Sequence, residues 1–269
     1  MRKWIYIILI VIFAAIFLIS GGLLVDYYIK SQKAADSFHE IADIVEQVKA
    51  TKPTAEPGET EPEVVLVEVT HPETGETVMV LPEYAEVFAM NPDTVGWIRV
   101  PDTRVNYPVM HHPEERDYYL YKDFYKKYSN DGSIYIREEC DVFTPTDNVT
   151  IYGHRMNSGA MFADLLKYKD EQFYIEHPHI QFDTLQERHY YVILSVFTIS
   201  ASANNGFQYH LMADAADEAE FNSFVEQCHI RALYDTGVTA AYGDKLITLS
   251  TCEKGDSSRR VVVVAKRIQ

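Results

Sequence analysis

The sequence predicts a mainly β domain, an antiparallel barrel or sandwich with a few peripheral helices, behind one N-terminal transmembrane helix. Three observations predict it. Trp4 to Val25 reads WIYIILIVIFAAIFLISGGLLV, with no charge in the run. Short β-prone runs punctuated by turns recur from Val95 to Ile268. Only two helical patterns interrupt them, so the regular strand–helix alternation of a doubly wound sheet is missing.

The elements follow in order. An uncharged stretch of roughly 20 residues is long enough to cross a bilayer as a helix. Arg2 and Lys3 precede it and Asp26 follows it, which places the N-terminus in the cytoplasm and the remainder outside. A cleaved signal peptide is the competing reading, with Ser20-Gly21-Gly22 as its small-residue site, but apolar residues continue beyond that point. We therefore expect an anchor over 1–25 and a membrane-proximal helix over 26–50. The helix carries Ala34, Phe38, Ile41, Val45 and Val48 on one face, a stripe that suits packing on the following domain. Residues 51–80 begin as an acidic, proline-rich linker, TKPTAEPGETEPE, which cannot form a core. They end in a β-prone stretch with a hairpin turn at His71-Pro72-Glu73-Thr74-Gly75.

Residues 81–269 form the main domain. Pro82 opens a short helix to Met90, ended by Asn91-Pro92-Asp93. Strands are expected at Val95–Val100, Val105–Met110, Ser133–Ile136, Asn148–Tyr152, His179–Phe182, His189–Ile199, Lys245–Thr251 and Arg260–Ile268. The helical patterns fall at Met161–Tyr168 and Ala215–Leu233. The second has Phe221, Phe224, Val225 and Cys228 on its apolar face.

Composition narrows the function. Lys+Arg total 24 against 40 Asp+Glu, a net charge of −16. Such an acidic chain is a poor binder of nucleic acid, whose phosphates are held by clustered cations. The 3 cysteines are too few for a disulfide framework. Cys252, in DKLITLSTC, stands where a strand delivers a thiol to a polar loop. It reads either as a nucleophile or as a small buried hydrophobe. Cys140 and Cys228 read as structural. His154, in NVTIYGHRM, also ends an apolar strand. His177 and His179 are two apart but have no third ligand nearby, so no zinc site is expected. Arg260 opens the VVVVA run, and the short loop from Cys252 makes the two strands candidates for an antiparallel pair. That pairing brings a permanent cation to the thiol's end of the sheet.

YGH (152–154), TLSTC (248–252) and RVVVVAK (260–266), in that order behind a single anchor, resemble a sortase. The stretches LPEYAEVFAMNPDTVGWIRV, NYPV and GHRMNSGAMFADLLKY, with a long helix before the cysteine strand, are similar to class B. The lid sequence of class C members is missing. The resemblance implies an eight-stranded β-barrel and a cell-wall transpeptidase of a Gram-positive-type bacterium, without cofactor or metal. It implies Cys252 as nucleophile, His154 as acid–base and Arg260 as oxyanion stabiliser. Ser250, Thr251, Glu253, Phe207 and Tyr209 are candidates for lining the substrate site. The 201–209 loop matches the family's substrate-binding region in place but not in residues, while class B members favour NPxT-type signals. The partners implied are surface proteins bearing a sorting signal and an amine of peptidoglycan or its lipid-linked precursor. Two other classes suit the same residues: a secreted Cys–His peptidase that passes the acyl group to water, and a non-enzymatic binding domain.

Overall fold

The computed structural model describes residues 2–51, 65–202 and 206–269. The expected linker and the 201–209 loop therefore lie partly outside the described residues. Helix α1 (Arg2–Ala50) runs unbroken for 49 residues, about 74 Å at the helical rise. Its N-terminal half is apolar on every side and exposed, and is long and apolar enough to cross a membrane. Its C-terminal half is amphipathic. Phe38, Ile41, Ala42 and Val45 are buried in the main core, and Phe38 meets the edge of Tyr107 with ring centroids 5.6 Å apart. The expected stripe is thus the face that docks on the following domain.

A hairpin, β1 (Val67–Thr70) and β2 (Thr77–Val80), forms around the expected turn. A 3-10 turn at Pro82–Tyr84 leads into α2 (Ala85–Met90). The remaining elements are β3 (Thr94–Arg99), β4 (Asn106–Met110), β5 (Ile134–Ile136), β6 (Asn148–Tyr152), α3 (Glu171–Glu176), β7 (His179–Thr184), β8 (Tyr190–Ser200), α4 (Glu218–Arg231), β9 (Leu246–Glu253) and β10 (Asp256–Arg267). The strands β3 to β10 close into an eight-stranded barrel in the order β10-β8-β7-β3-β4-β5-β6-β9. The helical pattern at Met161–Tyr168 forms a 3-10 helix, Phe162–Lys169. It is followed by the unforeseen α3, whose first turn is capped by Asp170 accepting from Gln172 N.

The barrel is not wholly antiparallel. β4 and β5 pair in parallel, and so do β6 and β9. Parallel neighbours need a long crossover. Between β6 and β9 the crossover contains α3, β7, β8 and α4, so no local sequence signal marks the pairing. The valine run of β10 is buried on both faces. Val263 and Ala265 belong to the main core, whereas Val262 and Val264 pack with Phe221, Phe224, Val225 and Cys228 of α4. Helix α4 covers the outside of the barrel at this strand, which removes the polar alternation expected of a solvent-facing strand. Its N-terminus is capped by Asp217, whose carboxylate accepts from Glu220 N at 2.9 Å.

Candidate active site

Register alone assembles three residues at one end of the barrel. In the parallel pair, Tyr152 of β6 lies opposite Ser250 of β9. Two residues further along each chain come His154 and Cys252, so the continuation carries the histidine level with the cysteine. On the other side of β9, the antiparallel pair with β10 sets Arg260 opposite Cys252. Neighbouring strands are spaced roughly 5 Å apart. Cys252 therefore stands on the central strand of three, flanked by the chain that carries His154 and by the one that carries Arg260. All three line one groove of about 400 Å³.

Each side chain has a local reason for its placement. Gly153, before His154, allows a close approach: a Cβ there would stand 2.4 Å from Ile134 Cδ1 and 2.7 Å from Phe162 Cδ2. Beyond it the chain leaves the sheet, and Phe162 N donates to His154 O at 2.9 Å. The imidazole Nε2 lies 2.7 Å from Leu120 O. A carbonyl oxygen only accepts, so Nε2 carries a hydrogen and Nδ1 is the nitrogen left to exchange protons. Tyr121 sits beside the ring, with centroids 5.5 Å apart. The β9–β10 turn is tight, Lys254-Gly255, with Gly255 in the left-handed region at φ 79°.

The three cysteines are in different states. Cys228 is fully buried and burial pushes its thiol far up. Cys140 is buried too, and its thiol is pushed up to about 11 by burial; its sulfur sits between Asn148 O and Thr150 N. Cys252 is partly exposed and is the one cysteine among the groove-lining residues.

Arg259 and Arg260 diverge, as strand alternation requires. Arg259 turns to Glu253 Oε2 at 3.2 Å and Thr198 Oγ1 at 2.8 Å. Arg260 lines the groove and anchors Nη1 on Ser257 O at 2.7 Å. Ser250, Thr251, Phe207 and Tyr209 also line the groove. Tyr209 shares a hydrogen bond of 2.7 Å with Ser250 Oγ, and its hydroxyl lies within electrostatic reach of both Arg260 and Cys252. Thr251 Oγ1 is buried with no partner among the described residues. Glu253 is not brought into the groove. Its carboxylate bonds Lys169 and Arg259, which hold it below the usual carboxylate range. The alternation that aims Cys252 inward turns the Glu253 side chain away.

Sequence reasoning assigned no groove role to Tyr121, Tyr135, Tyr152, Asp117 or His210, which also line the groove. The aromatic run at 118–121 and the tyrosine two places before His154 were the available signals. Nor was the Leu120 carbonyl foreseeable, because a backbone acceptor leaves no mark on residue identity. Among the described residues no cluster of three His, Cys, Asp or Glu side chains is placed to hold a metal ion.

The sortase domain family matches residues 98–268. The chain is 28% identical over 192 residues to Sortase B of Staphylococcus aureus, covering 71% of this chain and 76% of that protein. It is 28% identical over 188 residues to Sortase B of Listeria monocytogenes, covering 69% and 74%. A crystal structure of sortase B from Bacillus anthracis in complex with AAEK1 superposes with a TM-score of 0.70 at 28% identity, over 90% of this chain and 99% of that one. A Staphylococcus aureus sortase B–substrate complex shares the fold, with a TM-score of 0.72 at 23% identity over 90% and 99%. The eight-stranded barrel, the thiol at its groove and these relatives agree: the chain belongs to the sortase family, with sortase B proteins as its relatives, and is a cysteine transpeptidase.

Proposed function

We propose that this protein is anchored in the membrane through Trp4–Val25, with the barrel on the outer face, and joins sorting-signal proteins to a cell-wall amine. The observation that carries the reading is the meeting of Cys252, His154 and Arg260 in one groove, on three adjacent chain segments. Cys252 passes its thiol proton to His154 Nδ1 and attacks the carbonyl carbon of a threonine in the signal. The tetrahedral oxyanion is held by the Arg260 guanidinium and the Glu253 backbone N–H, both placed before the charge develops. As the peptide C–N bond breaks, His154 gives its proton to the departing amine and an acyl thioester remains on Cys252. The acceptor amine then attacks the thioester, His154 takes its proton, and the thiolate leaves as the new amide forms. A peptidoglycan or lipid-linked precursor amine suits this second step, because an unprotonated amine is a stronger nucleophile toward a thioester than water.

The test is the full-length chain in lipid with a library of fluorogenic signal peptides, with and without an amine acceptor. Mass spectrometry should find an acyl adduct on Cys252 that is lost in Cys252→Ala, and amide product when the amine is present. Acid product alone, unmoved by the amine, would replace transfer by hydrolysis. An adduct that survives in Cys252→Ala would remove the nucleophile.

A further inference from the structure

A buried carboxylate outside the groove meets a hydroxyl from the membrane-proximal helix. Asp131 is 2% exposed and Ser31 of α1 is 5% exposed. Ser31 Oγ donates to Asp131 Oδ2 at 3.0 Å. The residue after Asp131 is Gly132, in the left-handed region at φ 59°, where a Cβ would stand 2.4 Å from Leu120 O. That carbonyl is the one to which His154 Nε2 donates. The Asp131–Gly132 turn is thus packed against the peptide group that orients the imidazole. The Asp131 carboxylate is also close enough for the charge of His154 to act on it. Burial, the largest influence, raises this carboxyl above its ordinary value, and the Ser31 hydroxyl and His154 offset only part of that rise.

We infer that Asp131 is a positioning residue for His154, its carboxylate stabilising the imidazolium while Ser31 of α1 holds that carboxylate in place. The inference rests on the acid–base role proposed for His154. When Cys252 gives up its proton to the imidazole, a thiolate–imidazolium pair forms in a partly desolvated groove. A fixed negative charge behind the imidazolium favours that pair, because charges interact more strongly there than in water. Asp131 itself exchanges no proton with substrate. The same geometry ties the seating of α1 to the active site: with α1 undocked, Asp131 loses the Ser31 donor that fixes its carboxylate. The helix that follows the apolar span therefore contributes to chemistry as well as to attachment.

The experiment compares the full-length chain with Asp131→Asn and Ser31→Ala in phospholipid nanodiscs at neutral pH. It reads kcat and KM for peptide transfer, the rate of Cys252 alkylation by iodoacetamide, and the thermal midpoint. An opposite charge near a titrating group favours its charged form by about tenfold or more, so Asp131→Asn should lower both kcat and the alkylation rate about tenfold. KM should stay within about twofold, since the carboxylate does not touch substrate. Ser31→Ala should move both rates the same way by a smaller factor than Asp131→Asn, since it removes a donor to the carboxylate but leaves the charge in place. Asp131→Glu should recover part of both. Unchanged kcat and alkylation rates in Asp131→Asn would overturn the inference. So would losses that appear only together with a raised KM and a lowered thermal midpoint. Should the wild type alkylate at Cys252 yet transfer no peptide, the transpeptidase reading fails, and the alkylation rates still decide Asp131.

Discussion

Replacing Arg260 separates its role from that of its neighbour. Arg260 lies opposite Cys252 in the β9–β10 register, and Nη1 is tied to Ser257 O at 2.7 Å and Arg259 O at 3.2 Å. The guanidinium is thereby oriented in advance, and an arginine offers five N–H donors. Removing one preorganised oxyanion donor typically costs about 10²–10³ in kcat, or roughly 3–4 kcal/mol of transition-state stabilisation. Arg260→Ala should fall in that range, with the thermal midpoint little changed because its anchors are backbone carbonyls in an exposed turn. Arg260→Lys keeps the charge but loses the planar fork, and should recover only part of the rate. Arg259→Ala removes an ion pair with Glu253 and a bond to Thr198 at an exposed side chain. Such surface pairs contribute about 0–1 kcal/mol to stability, and the transfer rate should stay within about threefold on that account. The assay is steady-state transfer of a signal peptide to an amine, with acyl-enzyme formation followed separately. Equal losses in Arg259→Ala and Arg260→Ala, or transfer by Arg260→Ala within threefold of wild type, would refute the reasoning.

Native protein treated with iodoacetamide at neutral pH should be modified at Cys252 alone, with Cys140 and Cys228 reacting only after denaturation; peptide mass mapping checks this, given that both are buried and their thiols pushed up. Gly153→Ala should cut transfer severely and destabilise the barrel by about 1–3 kcal/mol, the usual range for overpacking. The added methyl meets Ile134 and Phe162 well inside van der Waals contact, and denaturant unfolding with kinetics on the folded fraction measures both effects. Glu253 has its carboxyl held low by Lys169 and Arg259. Its stabilising contribution is therefore present above the ordinary glutamate value of about 4.3 and lost as pH falls through the depressed folded value. Thermal midpoints of wild type and Glu253→Gln should differ at neutral pH and converge as the pH is lowered through the acid range, and a gap that widens toward acid would contradict the assignment.

The strand pattern was legible because each barrel strand carries its own local signal. Val95–Val100 and Val105–Met110 are β-prone runs either side of a turn, and VVVVA reads as a buried strand. The stripe on α1 was equally plain, since Phe38, Ile41 and Val45 keep helical spacing past the end of the apolar span. The groove was legible only in part. Arg260 opposite Cys252 followed from a short loop between two strands, a relation that sequence distance alone suggests. The approach of His154 to Cys252 did not, because it depends on β6 and β9 pairing in parallel across most of the domain. Glu253 was drawn into the substrate site by its place beside the cysteine, yet alternation and two cations turn it away.

This contrast has a physical basis in how the site is fixed. The Arg260–Cys252 relation is held by a tight turn and survives as long as the hairpin does. The His154–Cys252 relation is held by five parallel pairs, Asn148↔Leu246 to Tyr152↔Ser250, and slippage by one residue would turn His154 to the other face of the sheet. Side-chain bonds lock that register. Asn148 Oδ1 accepts from Thr248 Oγ1 at 2.8 Å, both residues being fully buried, while Asn148 Nδ2 donates to Met212 O at 2.7 Å. At the other end Gly153 N reaches Ser250 O at 3.3 Å. A buried amide with both its oxygen and nitrogen engaged tolerates no shift without orphaning polar groups. The register that carries His154 level with Cys252 is thus enforced from the far end of the strand, at a residue outside the groove.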